Sequence, residues 1–135
     1  TYQWNIAQTI SKKGFKIHLV DLKSQSWRTK DEVNRTVWQH WLTVVVPDQV
    51  ITNKAFLLIG GGRNGRKDLP KPDETVVKMA VASNSVVATL GMVPNQSLIF
   101  HNDGQERVED DLIGYTWDQF MKTGDKNWPA RNPIV

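Results

Sequence analysis

Apolar and polar residues alternate along the first part of the chain in the way that half-buried β-strands require. Two such runs, residues 2–10 and 15–22, flank a short turn at Gly14 and predict a β-hairpin. Residues 38–46 are β-branched and aromatic, and they predict a third strand that Pro47 ends. The front of the chain therefore reads as β-structure.

The second half changes its period. Residues 55–59 form a continuous apolar run, which predicts a strand buried on both faces, and residues 86–90 predict another short strand. Between them, Asp73 or Thr75 can cap a helix with an apolar face. Apolar residues recur at helical spacing over 108–121 behind an acidic start, so this segment gives the clearest helix prediction.

Strand–helix–strand–helix order after a β-rich front predicts an α/β fold. We expect a mixed, mostly parallel sheet whose first strands are antiparallel. The expected parts are a β-rich segment over 1–53, strand–helix repeats over 54–125 and a connector over 126–135. Because such a sheet normally continues with another strand after a helix, we expect these 135 residues to be a fragment of a longer chain. We therefore expect these residues to pack against the rest of their own longer chain.

Composition removes several classes of function. Hydrophobic residues make up 39% and charged residues 23%, which is typical of a globular protein, and no apolar run approaches the roughly 20 residues of a membrane span. There is no cysteine, which excludes disulfides, thiolate zinc sites and thiol chemistry. The net charge of +3 is not concentrated on one basic element, so nucleic-acid binding is not expected. The acidic run around 103–111 fits a helix start better than a metal site, and we expect no metal or cofactor.

Residues 60–65, Gly-Gly-Gly-Arg-Asn-Gly, are the most informative segment. Gly60, Gly62 and Gly65 match the G-x-G-x-x-G pattern of a dinucleotide-binding loop, but Pro70 and Pro72 prevent the helix that must follow such a loop. A phosphate-binding P-loop is also excluded, because the required lysine followed by serine or threonine is missing. A third interpretation is an oxyanion loop, in which a glycine-rich turn after a central strand offers backbone N–H groups to a developing negative charge. A glycine-rich turn without a function remains the alternative.

Six segments resemble a known family, the PhoPQ-activated pathogenicity-related proteins, which include bacterial secreted or envelope proteins and the autocrine proliferation repressors of social amoebae. The segments occur in the same order along nearly the whole chain. They are WQHWLTVVVPD (38–48), LLIGGG (57–62), VPNQ (93–96), EDD (109–111), YTW (115–117) and TGD (123–125). The resemblance implies an α/β-hydrolase-like, three-layer fold and a parent protein several hundred residues long, of which this chain looks like the first third.

The resemblance also implies which catalytic groups lie in this chain and which lie elsewhere in the parent protein. Nucleophile, acid and histidine are expected beyond residue 135, because no G-x-S-x-G elbow occurs here. The backbone of Gly61 and Gly62 is then the oxyanion loop, with Arg63, Asn64 and His40 as binding residues. Arg63 departs from the small or polar residue of the family and is expected to cover the pocket or pair with a substrate carboxylate. For His40, between two tryptophans in a strand, a structural hydrogen-bonded role is the competing interpretation.

Two functions follow as hypotheses. The first is a serine-hydrolase-like protein that cleaves a small ester or peptide substrate, and the second is a non-catalytic signalling or binding protein that acts on a cell-surface receptor. The resemblance predicts a secreted or extracytoplasmic location for either. Two glycosylation sequons, at Asn34 and Asn95, are predicted to lie in an exposed loop and an exposed turn.

Overall fold

The computed structural model describes residues 2–130, which form one five-stranded mixed sheet and two helices. The strand order in the sheet is β1-β2-β3-β5-β4. The elements along the chain are β1 (Gln3–Lys12), β2 (Phe15–Ser26), β3 (Val37–Pro47), β4 (Phe56–Ile59), α1 (Glu74–Ser83), β5 (Val87–Leu90) and α2 (Glu109–Thr123). No helix among the described residues is long and apolar enough to cross a membrane.

The predicted hairpin and third strand are confirmed. β1 and β2 pair antiparallel around a turn in which Gly14 adopts a φ of 93°, a left-handed conformation that favours glycine. β3 then pairs antiparallel with β2 from Phe15 opposite Pro47 to Ser26 opposite Val37. These three long strands make up most of the sheet.

The predicted strand–helix–strand unit is also present. Of the two predicted caps, Asp73 is the one used: its carboxylate accepts a hydrogen bond of 2.8 Å from the backbone N–H of Thr75. The helix connects β4 to its parallel neighbour β5 and buries Val76 and Ala80 against the sheet. A core cluster joins them, made of Ile17, Leu19, Val45, Val76, Ala80 and Val87.

The predicted fold class is wrong in its arrangement. Three of the four strand pairs are antiparallel and one is parallel, so the sheet is not mostly parallel and the chain does not form an α/β-hydrolase-like three-layer structure. A parallel pair needs a long crossover, whereas antiparallel neighbours need only a turn. The described chain makes one such crossover, and residues 91–107 form loops with isolated bridges in place of a further strand.

The burial predicted for residues 55–59 is also wrong. β4 lies at the edge of the sheet, and Phe56, Leu57 and Ile59 are 53%, 51% and 62% exposed. A continuous apolar run cannot by itself distinguish a central strand from an edge strand, because both place side chains on two faces.

A second core cluster holds α2 at one end of the sheet. Its members are Trp27, Val33, Trp38, Leu98, Phe100, Leu112, Trp128 and Ala130. The Trp27 indole N–H donates to the backbone oxygen of Asn127 at 3.0 Å, and the Arg28 guanidinium lies 4.1 Å from the centre of the Trp128 ring. Residues 128–130 of the predicted connector are therefore packed into the core, residues 126 and 127 are exposed, and residues 131–135 lie outside the described part of the chain.

Leu112 and Met121 provide a matched test of this packing, because both lie on α2 and differ in burial. Leu112 is 0% exposed and Met121 is 74% exposed. We expect Leu112→Ala to lower the free energy of unfolding by about 2–5 kcal/mol, because it opens a cavity in the cluster. Met121→Ala should leave it nearly unchanged. Urea titration of the intact protein measures both, and equal effects would contradict the docking of α2 described above.

Candidate functional site

The glycine loop borders a cleft of about 500 Å³ at the carboxyl ends of β4 and β5. The loop follows directly after β4, and the opposite wall is the segment that leads into α1. The lining residues are Trp41, Thr43, Gly61, Gly62, Arg66, Asp68, Leu69, Pro70, Lys71, Asp73, Val76, Thr89, Gly91 and Met92. Crevices at this edge of parallel strands are frequent binding sites.

Backbone hydrogen bonds hold the start of the loop against the segment after β5. The N–H of Gly60 donates to the Leu90 oxygen at 2.8 Å. In return, the N–H groups of Met92 and Val93 donate to the oxygens of Gly61 and Gly60 at 2.9 and 3.1 Å. The pairing of the two parallel strands thus continues into the loop and fixes its position.

The next two amides of the loop have no hydrogen-bond partner within residues 2–130. Among the described residues, nothing accepts a hydrogen bond from the N–H of Gly61 or of Gly62, and both residues line the cleft. Gly62 has a φ of 121°, a conformation that other residues rarely adopt. A Cβ placed on Gly61 would meet nothing within 4 Å, so this side of the loop is open. The predicted oxyanion residues therefore combine free donors with an accessible position.

Arg63 and Asn64 do not line the cleft. The Asn64 side chain donates to the backbone oxygens of Asn95 and Ser97 at 2.9 and 2.7 Å. Arg63 is exposed and forms an ion pair with Glu106 at 3.2 Å. Arg63 also donates to the Ser97 hydroxyl at 3.4 Å, so both residues tie the glycine loop to the 95–97 loop.

His40 lies behind the site and outside its lining. It is 2% exposed, with Nδ1 3.0 Å from the Gly91 oxygen and Nε2 3.0 Å from the Ser24 hydroxyl. Because a carbonyl can only accept, Nδ1 carries the proton and donates to Gly91. Burial lowers the pKa of His40, against the opposing effect of the Gly91 and Met92 carbonyls, so the ring is neutral. The geometry agrees with a structural histidine that supports the turn facing the loop.

Several lining residues were not identified from the sequence. Trp41 forms one wall, and its indole N–H donates to the Arg66 oxygen at 3.1 Å. The charged side chains of Arg66, Asp68 and Lys71 lie in the proline-containing segment after the glycine loop. Their position directly after a glycine loop, at the end of a strand, is the signal that could have identified them. Among the described residues, no three acidic or histidine side chains converge to hold a metal ion.

Comparison with known proteins confirms the resemblance. The model of the PhoPQ-activated pathogenicity-related protein family matches residues 1–135. The chain belongs to this family. Autocrine proliferation repressor protein A of Dictyostelium discoideum is 38% identical over 137 residues, which cover all of this chain and 28% of that protein. The chain therefore spans little more than a quarter of this relative's length, and no solved structure matches it.

The two sequons of this family member differ in accessibility. Asn34 is exposed, although its side-chain oxygen accepts a hydrogen bond of 2.9 Å from the N–H of Ile99. Asn95 is 1% exposed, and its amide nitrogen donates to the Gln39 oxygen at 2.6 Å. The prediction of an exposed acceptor is therefore wrong for Asn95, because its side chain satisfies the backbone of β3.

The neutral state of His40 predicts how stability depends on pH. In the unfolded chain the imidazole titrates near its ordinary pKa of 6.5, whereas burial holds the folded pKa lower. Below this pH the unfolded chain binds a proton that the folded chain does not, so the free energy of unfolding falls as the pH drops. We expect His40→Gln to flatten the decline in melting temperature between about pH 7.5 and 5.5.

His18→Gln is the control, because His18 hydrogen-bonds Thr9 on the β1–β2 pair, away from the glycine loop. This variant should retain the wild-type decline. The same slope in wild type and in His40→Gln would show that His40 is protonated alike in the folded and unfolded states.

Proposed function

We propose that this chain supplies the oxyanion loop of a serine-hydrolase-like protein that cleaves an ester or peptide bond. The observation that carries the proposal is the pair of unpartnered backbone amides at Gly61 and Gly62, both lining the cleft. Preorganised N–H donors stabilise the charge that develops on a carbonyl oxygen during acyl transfer. The N–H of Gly60 and the backbone oxygens of Gly60 and Gly61 are already hydrogen-bonded to the segment after β5. The loop therefore needs no rearrangement to offer its two remaining N–H groups.

The cleft offers a place for a substrate beside these donors. Trp41 gives it a flat apolar wall, and Thr43 and Thr89 lie along the sheet side. The lining also carries two positive side chains, Arg66 and Lys71, and two negative ones, Asp68 and Asp73, which suits a polar substrate. The volume of about 500 Å³ is within the range of small-molecule sites.

On this proposal, the reacting groups come from the rest of a family-length protein. No serine, cysteine or histidine is found among the described residues that line the cleft. A nucleophile, its general base and the acid that orients that base would have to approach the free amides from outside the region that this chain covers. The chain's own role is then to bind and stabilise, and not to attack.

We further propose that the protein is exported. This follows from the family resemblance and is supported by one exposed sequon, at Asn34. A secreted hydrolase and a secreted signalling protein share this location, and the name of the amoebal relative, a proliferation repressor, describes that protein alone. Activity measurements distinguish the two functions.

Gly61→Ala tests the oxyanion loop in a family-length protein. The added methyl group meets no neighbour within 4 Å, so it should fold normally but occupy the open side of the loop. We expect kcat for activated esters or short peptide amides to fall towards the roughly 10²–10³-fold loss that follows removal of one oxyanion donor. Melting temperature should not change.

Gly114→Ala is the matched control, since Gly114 lies on α2 and its Cβ would also meet nothing within 4 Å. It should leave turnover unchanged. If Gly61→Ala lowers stability and not turnover, the loop is a structural turn. If the wild-type protein neither hydrolyses these substrates nor reacts with a serine-directed phosphonate, the fold acts through its surface and the catalytic proposal is withdrawn.

Accessibility predicts which sequon is used after export from a eukaryotic cell. Asn34 should carry a glycan, whereas Asn95 should not, because its buried amide already donates to Gln39. Peptide mass spectrometry before and after deglycosylation measures both sites. The single variants Asn34→Gln and Asn95→Gln serve as controls, and only the former should reduce the mass of the secreted protein. A glycan on Asn95 would contradict the burial of this side chain.

A further inference from the structure

A second cavity lies beside the cleft, and Trp41 and Arg66 line both of them. Its volume is about 360 Å³. Asp21, which pairs directly with Trp41, and Gln39, two residues before Trp41 on β3, also line it. Paired residues and alternate residues of a strand face the same side of a sheet. The second cavity therefore lies on the same side of the sheet as the cleft, with Trp41 between them.

Three cations from two separate loops line this second cavity, which we call the basic pocket. Arg35 precedes β3, whereas Arg66 and Lys67 follow the glycine loop. One carboxylate, that of Asp21, lies among them and accepts a hydrogen bond of 2.9 Å from the Gln39 amide. The lining thus has an excess of positive charge.

The three cations have no counterion within residues 2–130. The other three arginines of this part of the chain, Arg28, Arg63 and Arg107, each pair with a carboxylate, whereas no ion pair there includes a cation of the basic pocket. Like charges that are held close together repel each other unless an anion offsets them. An anionic ligand would therefore stabilise the basic pocket.

Local contacts position two of these cations. The Arg35 guanidinium lies against Gly65, where an added Cβ would be 3.4 Å from Nη2. The backbone oxygen of Arg66 accepts the hydrogen bond from the Trp41 indole N–H. Neither contact uses a side-chain N–H of Arg35 or Arg66. Both guanidinium groups remain available for the two parallel hydrogen bonds that arginine forms with a carboxylate or a phosphate.

We propose that the basic pocket binds the anionic group of a short acidic peptide that extends from the cleft across Trp41. Thr43 in the cleft, Trp41 and Gln39 in the basic pocket follow each other on one side of β3, at steps of about 7 Å. The two sites together span about 14 Å, which is roughly four residues of extended peptide. The position of the reacting bond at the glycine loop rests on the proposed function, whereas anion binding does not.

Arginine modification of the wild-type family-length protein tests anion binding without any turnover. Phenylglyoxal modifies accessible guanidinium groups, and peptide mass spectrometry locates them. We expect inorganic phosphate and succinate to slow modification of Arg35 and Arg66 several-fold, relative to sodium chloride at the same ionic strength. Arg63 is the internal control, because it pairs with Glu106 and does not line the basic pocket, and its rate should not change.

Three results of this modification experiment would overturn the proposal. Equal rates at Arg35 in all three salts would show that no anion binds there, and equal slowing at Arg63 would show that the effect is not local. Slowing by phosphate alone would overturn the assignment of a carboxylate ligand and identify a phosphate site in its place.

A pair of charge-matched variants provides an independent readout in the same protein. Lys67→Gln removes a cation of the basic pocket, whereas Lys54→Gln removes one from the loop before β4. The probes are short fluorescent, amidated peptides with a glutamate at either end, and their glutamine counterparts. We expect Lys67→Gln to weaken binding of a glutamate peptide about 5–10-fold and to leave the glutamine peptides unchanged. Lys54→Gln should change neither.

These dissociation constants are measured without turnover, so a protein that hydrolyses nothing still tests the basic pocket. A preference for glutamate that Lys67→Gln leaves intact would overturn the proposal, as would equal binding of the glutamate and glutamine peptides to the wild-type protein. Loss of hydrolysis with this preference retained would remove the catalytic proposal alone.

Discussion

The backbone pairing of β3 is the constraint on which the rest of the structure depends. This strand pairs with β2 along its whole length on one side and with β5 on the other. Because alternate residues of a strand face opposite ways, its register decides that Thr43 and Val45 face the cleft and α1, and that His40 and Leu42 face away. A shift of one residue would exchange these two sets and remove both the cleft and the core under α1.

The pairing of β3 also fixes the position of the glycine loop. β5 is held by β3, and the loop is held by the segment that follows β5 through the backbone bonds of Gly60 and Gly61. His40 reaches from β3 to the Gly91 carbonyl on the far side of the same segment. The turn is therefore fixed from both sides. The N–H groups of Gly61 and Gly62 have no hydrogen-bond acceptor among the described residues.

The position of β4 in the sheet explains why its predicted burial differs from its exposure in the structure. Its residues are as apolar as those of a central strand, yet Leu57 and Ile59 are exposed in the described chain. The edge position of β4 contributes to this exposure, because an edge strand has a neighbouring strand on one side only.

The hairpin, the third strand, both helices and the capping residue Asp73 could be predicted from the sequence, because alternation, helical spacing and capping chemistry act within a few residues of each other. The glycine loop was identified in the same way. The mostly antiparallel pairing, the burial of Asn95 and the ties of Arg63 and Asn64 were decided only in the tertiary structure. Each depends on contacts between segments distant in the chain, and periodicity says how a segment is built but not which segment lies beside it.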